Sequence, residues 1–204
     1  MTGIEIPMLS IPKVALVTGG NSGIGKATAA RLAAMGSAVV VGYNSRRAQA
    51  EEVIGCLEGR GHLAIRIAID DSASVSEAAA TVHQQYGRLD ALVNCGGATI
   101  PVPANDLQGL TDDIFDRTVS LNLRGPFAMV RAFRPLLERG SGASIVNISH
   151  RGADGLGQQP GLSCGKGGRR RADDRACKSA CAENPRVLGF ARRRGYGFCR
   201  WPDP

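Results

Sequence analysis

The sequence lacks any long apolar run and any sign of a secretory leader. No hydrophobic stretch approaches the roughly 20 residues that a membrane-spanning helix needs. The opening segment, MTGIEIPMLS, carries neither a basic region nor a long apolar core, so we expect no signal peptide. No internal repeat is present beyond an alternation of apolar and amphipathic segments. These absences predict a soluble, cytoplasmic protein of one domain, for which 204 residues provide a sizeable core.

Most of the chain has no net charge, and the positive charge is confined to its last quarter. Residues 1–150 contain 13 Lys and Arg and 13 Asp and Glu, whereas residues 151–204 contain 12 and 5. A basic tail can bind nucleic acid, and cysteines can bind zinc. The arginines of this tail have few aromatic neighbours, however. Of its cysteines, Cys177 and Cys181 have a possible pair spacing, but the other two lie far from them and no histidine is nearby. We therefore expect no metal site, from Cys164, Cys177, Cys181 and Cys199 or elsewhere, and no nucleic-acid or membrane partner.

Five short apolar runs alternate with helical segments in the first 149 residues. Continuous apolar strands separated by helices predict a parallel sheet covered on both faces. Right-handed crossovers then give a doubly wound Rossmann α/β sheet. We predict Ser74 as the cap of the third helix, and Asp112, Asp113 and Asp116 as residues that start the fourth. The predicted strands are KVALVT, AVVVGY, LAIRIAID, ALVNCGG and ASIVNIS.

A glycine-rich turn, GGNSGIG at residues 19–25, follows the first strand and opens the first helix. Glycines let the backbone approach a pyrophosphate, and the helix offers free N–H groups and a positive dipole end to that anion. The spacing is G-x-x-x-G-x-G rather than the common G-x-G-x-x-G. The alternative is an ordinary loop between a strand and a helix. The alternating α/β context favours nucleotide binding.

Five motifs, in order over residues 10–149, resemble the short-chain dehydrogenase/reductase family, and most closely its members similar to acyl-carrier-protein ketoreductases. TGGNSGIG at 18–25 matches the family's T-G-x-x-x-G-I-G cofactor motif. NCGG at 94–97 resembles its N-A/N-A-G motif, with Cys95 and Gly96 as departures; we interpret Cys95 as a small buried residue rather than a nucleophile. Asp70 matches the family's adenine contact, Asn122 its catalytic asparagine, and SIVNIS the strand that delivers its catalytic serine.

The resemblance implies hydride transfer between a nicotinamide cofactor and a small carbonyl or alcohol substrate, in a protein that is usually a homotetramer. For this chain, the tetramer is doubtful because its last quarter departs from the family. The predicted cofactor-binding residues are Gly19, Asn21, Ser22, Gly23, Ile24, Gly25, Ser45, Arg46, Asp70 and Asn94.

The end of the second strand indicates which cofactor is used. An NAD enzyme of this class carries an acidic residue there, which bonds the ribose 2′-hydroxyl. Tyr43 stands in that place, followed by Asn44, Ser45, Arg46 and Arg47. Hydroxyl and guanidinium groups suit a 2′-phosphate. We therefore predict NADP rather than NAD; the alternative is two solvated arginines that open a helix.

The sequence also lacks a tyrosine where the resemblance requires one. In the family, a serine orients the substrate, a tyrosine 13 residues later transfers the proton, and a lysine four residues further lowers the pKa of that tyrosine. Counting from Ser149 gives Leu162, with Lys166 in the lysine position. Leucine cannot exchange a proton, and His150 has no acid partner to replace it. The predicted catalytic residues that remain are Asn122, Ser149 and, by position only, Lys166, so we expect the chain as written to be inactive.

Residues 150–204 regain the family's pattern when their codons are read one base later. Tyrosine is then permitted across Leu162 and Ser163, and lysine or arginine is required across Lys166 and Gly167. Shifted GC-rich codons also yield Arg, Gly, Cys and Ala, which accounts for the basic tail. We interpret residues 1–149 as the Rossmann core and residues 150–204 as an out-of-frame tail. A non-catalytic nucleotide-binding remnant and a basic-tailed nucleic-acid-binding protein are the alternatives.

Overall fold

The computed structural model describes residues 12–103, 105–140 and 142–149, and the backbone of residues 198–200. Strands and helices alternate through the long described ranges, and none of the helices there is both long and apolar enough to cross a membrane. The strands are β1 (Val14–Thr18), β2 (Ala38–Tyr43), β3 (Leu63–Arg66), β4 (Ala91–Asn94), β5 (Ser144–Asn147) and β6 (Phe198–Arg200). The helices are α1 (Gly23–Ala34), α2 (Arg47–Cys56), α3 (Ser72–Tyr86), α4 (Asp112–Val119) and α5 (Gly125–Leu137), with a π-turn (Ser120–Arg124) between α4 and α5.

The first five strands form one parallel sheet in the order β3-β2-β1-β4-β5. The chain moves outward from β1 to β3 and then returns to the other side of β1 with β4. This reversal between β1 and β4 is the topological switch point, where doubly wound sheets bind ligands at the carboxyl ends of their strands. The predicted doubly wound Rossmann fold is confirmed, and α4 begins at Asp112 as predicted.

Strand β6 was not predicted from the sequence. Its three residues, Phe198–Arg200, pair antiparallel with β5, so that Ser144 lies opposite Arg200 and Val146 opposite Phe198. The unpaired N–H and C=O groups of an edge strand accept any extended segment, without requiring a particular sequence. From the out-of-frame composition of residues 150–204 we expect an irregular or loosely helical tail, and β6 contradicts that expectation at residues 198–200. Residues 150–197 and 201–204 lie outside the described residues.

The sheet is buried on both faces because successive side chains of each strand point in opposite directions. On one face, Leu16 belongs to a core cluster that includes Val82 of α3 and Phe133 of α5. On the other face, the neighbouring residue Val17 belongs to a second cluster, with Ala29 of α1 and residues of α2. The continuous apolar runs thus place one helix pair on each face, as the sequence predicted.

Two local expectations are corrected by the structure. Ser74 is buried inside α3 rather than capping it, because its hydroxyl accepts the Ala68 N–H at 3.0 Å. The cap is Asp71, whose carboxylate accepts the Ala73 N–H at 2.9 Å. The third strand is also shorter than the apolar run that predicted it: LAIRIAID forms a strand only over Leu63–Arg66, and its second half forms a loop toward α3.

Asp90 joins the starting ends of three strands. Its buried carboxylate accepts the Val14 N–H at 2.9 Å and pairs with the Arg88 guanidinium, whose Nε lies 3.2 Å away. The Asp90 backbone N–H donates to the Val14 carbonyl, and its carbonyl accepts the Ser144 N–H, both at 2.9 Å. A buried carboxylate is stable only when such donors surround it. Asp90 therefore fixes β1, β4 and β5 in register.

We expect Asp90→Asn to lower the free energy of unfolding by about 2 kcal/mol, because it removes a buried charge pair and turns an amide toward Arg88. Asp113→Asn is the matched control: Asp113 is exposed in the first turn of α4, where a carboxylate contributes about 0.5 kcal/mol through the helix dipole. Urea unfolding of both variants measures the difference. Equal effects of the two substitutions would contradict a structural role for Asp90.

Candidate dinucleotide site

The turn between β1 and α1 folds tightly because three of its residues are glycines in demanding positions. Gly19 and Gly23 have φ of +64° and +51°, in the left-handed region that side chains disfavour. A Cβ on Gly25 would lie 2.2 Å from the Gly19 carbonyl oxygen. The turn thus brings the backbone of residue 25 against that of residue 19, which only glycine permits.

The first turn of α1 offers backbone N–H groups that no side chain caps. Ser22 occupies the N-cap position with extended backbone but makes no side-chain capping bond. By contrast, Asp71 caps α3 and Thr111 caps α4 through their side-chain oxygens. The first turn of α1 also contains no acidic residue. Uncapped N–H groups and the positive end of the helix dipole together suit an anion such as a pyrophosphate.

The carboxyl ends of β1 and β4 are joined by the hydroxyl of Thr18. It accepts the N–H groups of Cys95 at 3.0 Å and Gly96 at 2.8 Å. The backbones are so close that a Cβ on Gly19 would lie 3.1 Å from the Gly96 Cα. The sequence predicted a buried Cys95, but in the structure this side chain is only half-buried. The contacts fix the NCGG segment against the glycine turn.

The end of β2 supplies polar and cationic groups to the same region. Tyr43 is buried, whereas Ser45 and Arg46 are exposed. Arg47 pairs with Glu51 at 2.7 Å, and its pKa is raised above the usual arginine value, chiefly by the hydrogen bond to that carboxylate. No carboxylate of the described residues forms an ion pair with Arg46. Of the two adjacent arginines, Arg46 is thus the one placed to meet an anionic ligand.

Asn21 connects the glycine turn to α2. Its side-chain amide is buried, and Nδ2 donates to the Gln49 Oε1 at 2.9 Å. This bond holds the turn beside the helix that Arg46 precedes. The positions of the glycine turn and of the β2 end are therefore coupled through one hydrogen bond.

These segments surround a cleft of about 580 Å³, within the usual range for small-molecule sites. All of the predicted cofactor residues line it except Asn94, which is buried behind it and donates through Nδ2 to Asn147 Oδ1 at 2.8 Å. Further lining residues that the sequence argument did not select include Ile67, Ile69, Ala98, Arg117 and Leu121. Arg117 and Leu121 are four residues apart across α4 and the π-turn, a spacing that puts both on one face.

Two of the three predicted catalytic residues lie within the described chain. Asn122 is buried in the π-turn, where Nδ2 donates to the carbonyls of Ala98 at 2.7 Å and Thr118 at 2.9 Å. Among the described residues, neither Asn122 Oδ1 nor the hydroxyl of Ser149, two residues beyond β5, has a hydrogen-bond partner. Lys166, like Leu162, lies outside the described residues. The π-turn itself, a widening of the helix common at functional sites, was not predicted.

The residues present fit a dinucleotide. A pyrophosphate suits the glycine turn and the first turn of α1, because the turn is open at Gly23, where an added Cβ would meet nothing within 4 Å. The Asp70 carboxyl and the apolar side chains of Ile69 and Leu121 suit an adenine ring, and Arg46 suits a ribose phosphate. The arrangement can therefore hold a large, anionic, partly aromatic ligand across the switch point.

Comparison with known proteins identifies relatives of this chain. A granaticin polyketide synthase protein of Streptomyces violaceoruber, named as ketoacyl reductase 2, is 37% identical over 136 residues, covering 67% of this chain and 54% of that protein. A levodione reductase of Leifsonia aquatica is 34% identical over 160 residues, covering 76% and 59%. The chain therefore spans little more than half the length of these relatives.

A solved structure and a family model agree with these relatives. A Burkholderia xenovorans protein assigned to the short-chain dehydrogenases/reductases superposes with a TM-score of 0.76 at 30% identity, covering 81% of this chain and 71% of that chain. The family model described as short chain dehydrogenase matches residues 13–176, which include the cleft and extend past Ser149. The chain belongs to the short-chain dehydrogenase/reductase family.

Proposed function

We propose that the protein binds NADP(H) in the cleft at the switch point, and that its fold serves hydride transfer between nicotinamide and a small carbonyl or alcohol substrate. The observation that carries the proposal is the meeting of the glycine turn, Arg46 and Asp70 in one cleft. Two of its relatives are named reductases, which supports a carbonyl substrate. We propose no nucleic-acid or membrane partner. The cytoplasmic location stays a prediction, and so does the expectation that this chain departs from the family's usual homotetramer.

Each part of the cofactor has a proposed partner. Gly19, Asn21 and Ser22–Gly25 hold the pyrophosphate through the backbone N–H groups of the turn and of the first turn of α1. The Asp70 side chain accepts a hydrogen bond from the adenine end. Ser45 and Arg46 contact the ribose 2′-phosphate. Asn94, which lies behind the cleft, supports the segment that contacts the nicotinamide side rather than lining the cleft itself.

The catalytic part of the site is incomplete in this chain. When bound, the nicotinamide supplies or accepts a hydride at its C4 atom. Ser149 would orient the substrate oxygen through its hydroxyl, and Asn122, anchored by Ala98 and Thr118, would support proton movement. The proton itself needs an acid of suitable pKa, and Leu162 cannot supply one. We therefore propose that the chain as written binds the nucleotide without turning over substrate, with Lys166 a positional match only.

The cofactor preference is tested by Arg46→Asp. We expect the unsubstituted chain to bind NADPH more tightly than NADH, and the substitution to weaken NADPH binding about tenfold while leaving NADH binding unchanged or stronger. An exposed guanidinium bonded to a phosphate contributes about 1.4 kcal/mol, and aspartate would instead accept the ribose hydroxyls of NADH. Isothermal titration of both cofactors measures the two dissociation constants.

Arg47→Asp is the matched control for this experiment. Arg47 follows Arg46 directly, does not line the cleft and pairs with Glu51. Its substitution should change both affinities equally and by less than threefold, since only a screened surface charge is altered. Equal affinity of the unsubstituted chain for NADPH and NADH would refute the NADP assignment. Failure to bind either cofactor would refute dinucleotide binding itself.

A further inference from the structure

Two segments meet at the end of the cleft that carries Asp70. One is the Asp70 loop, residues 67–71, which connects β3 to α3. The other is the π-turn, Ser120–Arg124, with Gly125 directly after it. A Cβ on Gly125 would lie 3.0 Å from the Ile69 carbonyl oxygen and 3.2 Å from the Ile69 Cβ. The two backbones are therefore in direct contact, although more than 50 residues separate them in sequence.

Arg124 bonds across this contact. Its Nη2 donates to the main-chain carbonyl of Asp70. The same guanidinium donates to the Ser120 hydroxyl, from Nη2 at 2.9 Å and from Nε at 3.3 Å. Ser120 lies four residues earlier on the same helical face, so it fixes the orientation of the guanidinium. A planar group with several donors can satisfy both acceptors at once, which a lysine ammonium does less well.

The other described hydrogen bonds of the Asp70 loop lie toward its two ends. The Ile67 N–H donates to the Tyr43 carbonyl at 2.6 Å, and the Ala68 N–H to the Ser74 hydroxyl at 3.0 Å. The Asp71 N–H donates to the Ala68 carbonyl at 2.9 Å. At residue 70 itself, the described backbone hydrogen bond is the one that its carbonyl accepts from Arg124. Arg124 is therefore placed to set the position from which the Asp70 side chain faces the cleft.

We propose that Arg124 is a positioning residue for the adenine end of the cofactor, acting through the Asp70 carbonyl. The π-turn then has two tasks at this end: Leu121 lines the cleft, and Arg124 holds the loop that lines it beside Leu121. The inference rests on the proposed dinucleotide binding. Without Arg124 the Asp70 loop can shift, and the proposed hydrogen bond from the adenine end to the Asp70 side chain weakens. Loss of Arg124 should therefore reduce binding of the adenine half of the cofactor more than binding of the nicotinamide half.

Fragment binding to the full 204-residue chain tests the assignment. Arg124→Met should weaken binding of ADP, which carries the adenine and pyrophosphate, about tenfold, and should leave binding of nicotinamide mononucleotide within about twofold. Arg124→Lys should restore most of the ADP affinity, since one donor can still reach the carbonyl. In an Asp70→Ala background, Arg124→Met should cause little further loss, because both changes remove the same contact.

Arg131→Met is the matched control, since Arg131 is an exposed residue of α5 that lies over the Phe127 ring and does not line the cleft. Its affinities for both fragments should match those of the unsubstituted chain. Equal losses of ADP and mononucleotide binding in Arg124→Met, or losses that add to those of Asp70→Ala, would overturn the assignment. Unchanged ADP binding would do the same.

Amide hydrogen exchange of the nucleotide-free protein separates this inference from the proposed function. In Arg124→Met, exchange across the Asp70 loop should rise about tenfold while that of β1 and β4 stays unchanged. Unchanged exchange in the loop would overturn the positioning role. If the unsubstituted chain binds neither ADP nor NADPH, the proposed function fails, whereas a chain that binds ADP with no response to Arg124→Met refutes only the role of Arg124.

Discussion

The 204-residue chain should show no measurable oxidation of NADPH with any ketone, whereas a chain with the reading frame restored after Ser149 should turn over. General acid catalysis contributes roughly 10²–10⁴ in rate, and the residue that would provide it is Leu162 in this chain. The difference between the two chains should be at least that large, since the frame shift that we infer would also replace the sequence around the lysine position. Absorbance at the nicotinamide band, with a panel of ketones and both cofactors, measures it.

Two buried polar groups near the cleft bear on this expected difference in activity. Asn122 Oδ1 and the Ser149 hydroxyl are buried without hydrogen-bond partners among the described residues. An unsatisfied buried polar atom costs about 1–3 kcal/mol unless a ligand or another residue supplies its partner. The catalytic role that we propose for both groups accounts for this, because a substrate or a residue outside the described ranges would supply the missing partners. We expect the tyrosine and lysine of the restored frame to complete this proposed site.

Leu162→Tyr in the 204-residue chain is the control that separates the missing acid from the altered frame. We expect this single substitution to leave the chain inactive, because a proton donor must also be held within hydrogen-bond reach of the substrate. Activity of the Leu162→Tyr chain would show that the tail sequence is otherwise competent and would refute the altered frame. Turnover by the unsubstituted chain would contradict the prediction outright, and His150 and Tyr196 would then be the first acids to replace.

Much of the fold could be predicted from the sequence because strand burial and helix alternation are local patterns. Leu16 and Val17 illustrate this: neighbouring apolar residues enter separate clusters on the two faces of the sheet, as a doubly covered strand requires. The cap of α3 was predicted wrongly because Ser74 and Asp71 are both good capping residues. Ser74 instead meets the Ala68 N–H, in a loop whose course depends on β3 ending early.

The residues of the candidate site could be predicted where they belong to one short motif. They could not be predicted where packing brings distant segments of the chain together. The glycine turn and the β2 end each carry their residues consecutively, so the cleft contains nearly all of those selected. Arg117 and Leu121 join the cleft only because the π-turn packs on the Asp70 loop, and the bond from Arg124 to Asp70 spans 54 residues. Likewise, β6 depends on an edge strand that accepts backbone bonds from any extended segment.

Gly25→Ala should abolish practical dinucleotide binding, lowering NADPH affinity by at least about 100-fold, or about 2.7 kcal/mol. The added Cβ would lie 2.2 Å from the Gly19 carbonyl oxygen and 3.1 Å from the Gly20 Cα. Both are backbone atoms, so no side-chain rotation relieves the overlap. The turn must open, and the N–H groups that we propose to face the pyrophosphate then separate from one another.

Two further glycine substitutions identify the cause of the loss. Gly55→Ala in α2 meets nothing within 4 Å, so it should leave NADPH affinity unchanged and raise the free energy of unfolding by up to about 1 kcal/mol. Gly23→Ala also has open space but a φ of +51°, which should cost about 1–2 kcal/mol of backbone strain. Titration calorimetry should therefore find the largest loss of NADPH affinity in Gly25→Ala, a smaller loss in Gly23→Ala and none in Gly55→Ala. Urea unfolding of the same variants measures their stability. NADPH binding by Gly25→Ala within threefold of the unsubstituted chain would mean that the pyrophosphate does not sit on this turn.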